Sequence, residues 1–138
     1  MALVKKFISI CFIVLGIASF AGTVAFYFSA TLRLYVPGAN NVNQFFSLLC
    51  ALTSAIGGFQ ALRNRISAIP VLFASCLFYF LGATYSAWIQ YGIQTFSMLM
   101  NAFYYSLGCR IIGTGIIATQ LIRTRTTLYD AKHLHDLP

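Results

Sequence analysis

Four long apolar stretches, separated by short polar breaks, set the pattern of this chain. The first runs from about residue 7 to 30, after the basic start Lys5-Lys6. The second covers about 42–62, the third about 67–90 and the fourth about 95–122. Roughly 20 apolar residues suffice to cross a bilayer as a helix, so each stretch is read as a transmembrane helix. The breaks carry turn and start signals. Pro37-Gly38 and Asn40-Asn41 mark the first loop. Arg63-Asn64-Arg65 is too short for anything but a tight antiparallel connection, and Ser67 with Pro70 begins the third helix. Tyr91 to Thr95 makes a second short link. The first run resembles a signal peptide in its basic start, but it continues through Val24-Ala25-Phe26-Tyr27-Phe28. That is too long for a signal core, so it is expected to stay uncleaved. The predicted organisation is a membrane domain over 1–125 and a short polar tail over 126–138.

Composition strengthens this picture. The chain is 59% hydrophobic and only 8% charged, against about 25% charged in soluble domains. Its net charge of +7 does not form the interleaved basic patch that nucleic acid needs, so nucleic acid is not an expected partner. Instead Lys5, Lys6, Arg63, Arg65, Arg123, Arg125 and Lys132 fall on one side of the predicted spans, and Arg33 on the other. The positive-inside rule then places both termini in the cytoplasm, as an even number of spans requires. The fold class expected is an all-α, four-helix integral membrane bundle, with the lipid bilayer as its solvent. A bacterial inner membrane suits the low charge and simple loops; an organelle membrane is the alternative.

Small residues recur three or four apart on several helices: Ala51, Ala55 and Gly58 on the second, Gly82 and Ser86 on the third, Gly113 on the fourth. Such stripes let helices approach closely. The cysteines, Cys11, Cys50, Cys76 and Cys109, stand one per run without paired spacing. They read as packing residues rather than as a disulfide or metal set.

The chemistry narrows by exclusion. Neither His nor a carboxylate lies in an apolar run, because the first Asp is Asp130 and both His are in the tail. Membrane haem ligation, a membrane metal site and cation-coupled transport through an acidic residue therefore lack their usual groups. No phosphate-binding glycine loop or Ser-His-Asp set is present, so no cofactor and no enzymatic activity are expected. Asp130, His133, His135 and Asp136 are read as a solvated tail.

One residue breaks the apolar pattern. Arg110 sits inside the fourth run with no carboxylate in its own membrane domain. A charge there is costly and normally faces protein or a wet cavity. Ser106, Gly113 and Thr114, at −4, +3 and +4, share its helical face. Two readings follow. In the leading one, Arg110 locks onto another membrane subunit or a second copy, and the chain is a non-enzymatic accessory or assembly subunit. In the alternative, the chain is a small carrier, channel or binding protein for an anionic or lipid-like molecule. Arg110 would then hold the anionic group, and Tyr85, Trp88, Tyr104 and Tyr105 would line an outward-facing aromatic pocket.

Overall fold

The computed structural model describes residues 2–28, 41–90 and 96–135. The first loop with Pro37-Gly38 and the link at 91–95 lie outside the described residues. All described regular structure is helical: α1 (Ala2–Phe28), α2 (Asn41–Leu62), α3 (Ala68–Gln90) and α4 (Phe96–His135). Each holds a segment long and apolar enough to cross a membrane. No strand occurs among the described residues.

Two helices exceed their predicted lengths. α1 begins at Ala2 because nothing before residue 7 breaks a helix, and the Ser9 hydroxyl donates to the Lys5 carbonyl at 2.8 Å. α4 runs on through the expected polar tail to His135. The reason is local. Between Gly115 and Pro138 there is no Gly or Pro to stop the helix. Threonine hydroxyls bond back to carbonyls there, Thr124 to Gln120 at 2.8 Å and Thr127 to Arg123 at 3.1 Å. At about 1.5 Å per residue α4 is about 60 Å long, twice the hydrocarbon thickness of a bilayer.

The α2–α3 connection is a Schellman turn. Arg65 N–H donates to the Gln60 carbonyl at 3.0 Å and Asn64 N–H to the Ala61 carbonyl at 3.1 Å. Asn64 takes the left-handed conformation (φ 57°) that this motif requires, one that Asn tolerates better than most residues. Its side-chain oxygen accepts a hydrogen bond from the buried Lys5 ammonium. That contact ties the start of α1 to the α2–α3 turn, so this is the basic end of the bundle. Arg63 lies over the Phe59 ring at 4.3 Å.

Packing is closest between α1 and α2, and between α2 and α3; α4 packs less closely on α3 and only lightly on α1. The α1–α2 crossing depends on glycine. A Cβ on Gly16 would stand 2.7 Å from the Ala51 carbonyl oxygen, and one on Gly58 would stand 2.7 Å from the Ser9 carbonyl oxygen. The small stripe Ala51, Ala55, Gly58 thus lies at the α1 interface. Gly82 of α3 faces Phe46 of α2, and Gly113 of α4 faces Phe12 and Ile8 of α1. The apolar core, Phe12, Ala61, Ala68, Leu72, Ile117 and Leu121, gathers toward the basic end. The side chain of Ser86 lies outside the described part.

Candidate functional site

Away from that core, the interior becomes polar. Arg110 is 9% exposed and points from α4 across the bundle. Its Nη1 donates to Ser54 Oγ of α2 at 2.9 Å and to Ser75 Oγ of α3 at 3.2 Å. The two hydroxyls are 2.6 Å apart, and Ser75 Oγ is 3.8 Å from Cys50 Sγ. A run of donation from Ser54 to Ser75 to Cys50 spends each hydroxyl hydrogen once while both oxygens accept from Arg110. The Arg110 guanidinium carbon lies over the Tyr79 ring, 4.7 Å from its centroid, a cation–π contact. One helical turn past Arg110, the buried Thr114 hydroxyl is 3.7 Å from Cys76 Sγ.

Every one of these contacts is with a neutral group. The chain's first carboxylate, Asp130, lies on the same helix about 30 Å further along at 1.5 Å per residue. Taking a charge out of water costs several kcal/mol. Two hydroxyls and a ring offset part of that cost and leave the positive charge itself unneutralised.

A cavity of about 340 Å³ opens against this centre. Arg110 stands at its core-facing end. Its walls are Ser19, Gly22 and Thr23 from α1, Asn43, Phe46, Ser47 and Cys50 from α2, and Phe78, Tyr79, Gly82 and Ala83 from α3. Small side chains on α1 and α3 make the space, and aromatic ones flank it. No family model, curated protein or solved structure matches this chain. The site is therefore read from its own geometry.

The residues singled out in the sequence are distributed unevenly around it. Arg110 is at the centre and Thr114 is buried just beneath. Ser106 and Gly113 line a second groove, between α1 and α4, which Arg110 also lines, with Ile8, Phe12 and Leu15 opposite them. Tyr104 and Tyr105 are 57% and 77% exposed and are not among the lining residues of the Arg110 cavity. Tyr85 is half-buried and also off the cavity. The side chain of Trp88 lies outside the described part. The aromatic wall is built by Phe46, Phe78 and Tyr79 instead.

Three contacts of Arg110, Ser54, Ser75 and Tyr79, do not stand out in the sequence as its partners. The signal was present. Ser75, Tyr79 and Gly82 are spaced by four and three, on one face of α3. On α1, Ser9, Gly16 and Thr23 recur every seven residues and mark its inward face in the same way. Among the described residues no group of three or more His, Cys, Asp or Glu side chains is placed to hold a metal.

Proposed function

We propose that this chain is a multi-pass membrane protein that binds a small anionic molecule on Arg110, in the half of the bundle facing away from the cytoplasm. The four apolar helices and the gathering of basic residues at the Lys5–Asn64 end support the insertion and an orientation with both termini on the cytoplasmic side. The bacterial inner membrane is the setting we favour. The observation that carries the binding reading is that, among the described residues, Arg110 pairs with neutral groups only, at the end of an aromatic-walled cavity. Few polar groups in a mostly apolar concavity is the usual composition of a ligand site.

The accessory-subunit reading draws less support, because the Arg110 guanidinium bonds within its own bundle, to Ser54 and Ser75. Its support is the groove between α1 and α4, which Arg110 and Ser106 line together with apolar side chains. Lipid chains fill such a groove in a bilayer without any protein partner.

Native mass spectrometry of the protein extracted gently from its own membrane separates the two. The binding reading expects a monomer or homo-oligomer carrying a small-molecule adduct that Arg110→Gln removes. A complex with a second protein and no adduct would overturn it in favour of the accessory-subunit reading.

A further inference from the structure

We infer that the Arg110 cavity takes a compact aromatic monocarboxylate, its carboxylate on the guanidinium and its ring between Phe46, Phe78 and Tyr79. This rests on the anion-binding reading above and narrows it to one chemical class.

Charge comes first. Among the described lining residues Arg110 is the only ionisable cation, and none is a carboxylate. A monoanion neutralises it. A phosphate monoester, close to −2 at neutral pH, would leave a net negative charge in the same enclosure. Removing that charge from water carries the penalty that the site's single cation no longer offsets.

Geometry comes second. Both hydrogen bonds from Arg110 to described residues leave from Nη1, and that nitrogen has two hydrogens. The Nε and Nη2 hydrogens remain. They form the parallel fork that matches the two oxygens of a carboxylate. The guanidinium carbon lies over the Tyr79 ring, 4.7 Å from its centroid, and both residues line the cavity.

Shape comes third. At about 340 Å³ the cavity lies near the lower bound of small-molecule sites, about 300–1,000 Å³. Its aromatic side chains come from α2 and α3, and α1 opposite offers Ser19, Gly22 and Thr23. That arrangement admits a flat ring stacked on Phe or Tyr. A bare halide is a poor match. It would leave the aromatic walls without a partner and make no use of the guanidinium fork.

The test uses the full chain in nanodiscs of neutral lipid, titrated calorimetrically with benzoate, benzamide, phenyl phosphate and chloride. Benzoate should bind saturably, one per chain. Benzamide, with the same shape and no charge, and phenyl phosphate should each bind about tenfold more weakly or worse, since charged hydrogen bonds contribute about 1.5–3 kcal/mol. Arg110→Lys keeps the charge and loses the fork, so benzoate affinity should also fall at least about tenfold. The wild-type ligand series carries the test even if a variant folds poorly. Phenyl phosphate binding as tightly as benzoate would overturn the inference. So would chloride binding that depends on Arg110 while benzoate gives no signal; in that case the anion-binding reading stands. If neither benzoate, phenyl phosphate nor chloride binds in an Arg110-dependent way, both fall.

Discussion

Toward the basic end, the helices close on aliphatic side chains such as Leu72, Ile117 and Leu121, all at most 2% exposed. Around Arg110, the same helices meet through hydroxyls, a guanidinium and a ring, beside about 340 Å³ of open space. Both ends use the same four helices and similar small-residue spacing. The difference lies in what stands opposite the small residues. At Gly57 and Gly58 the neighbours fill the gap with Leu72, Phe12 and Ile13. At Gly22 no neighbour lies within 4 Å, and the gap is cavity. One half is arranged for packing; the other gives up packing to hold a charge and leave room beside it.

Substitutions can break or sharpen that contrast. The largest effect is expected at the crossing on which the packed half depends. Gly58→Leu would drive a side chain into the α1 backbone at Ser9 and should cost about 3 kcal/mol or more, read as loss of the folded fraction in a denaturant titration. Leu72→Ala should cost about 2–3 kcal/mol through the void it leaves. Phe78→Ala, which only widens an existing cavity, should cost less than half as much in the same assay. Equal losses at the two sites would mean that the halves are packed alike. Ser54→Ala removes one of the two hydroxyls on Arg110 and should cost about 1.5–2 kcal/mol. A double-mutant cycle with Arg110→Met should assign most of that to the pair. Asn64→Val places a β-branched residue at φ 57° and should cost about 1–2 kcal/mol, whereas Asn64→Gly should leave the turn intact apart from the Lys5 contact.

The sequence makes some of this legible and hides the rest for a physical reason. The four helices follow from the lengths of the apolar runs, and the α2–α3 turn from Arg63-Asn64-Arg65. The end of α4 is misplaced because basic and hydroxyl residues at 123–127 read as a boundary, while nothing there stops a helix. Arg110 stands out as a lone charge. Its partners do not, because Ser54, Ser75 and Tyr79 are common residues in apolar helices. Only their helical spacing marks them, and spacing gives a face without saying which neighbour it meets. The exposed tyrosines at 104 and 105 attract attention by type, yet the ring that touches Arg110 belongs to Tyr79.

We propose that Arg110 is held at a stability cost for the sake of an anion. The most direct measurement is the unfolding free energy of Arg110→Met against wild type, in neutral-lipid nanodiscs without added anion. Ser54 and Ser75 already bond each other, so removing the guanidinium leaves a satisfied pair. Replacing a buried ionic group by an apolar one of similar size is often neutral or stabilising. Arg110→Met should be as stable as wild type, or more stable by about 1–2 kcal/mol. A loss of about 2 kcal/mol or more would contradict it, and would make Arg110 a structural tie between α2, α3 and α4.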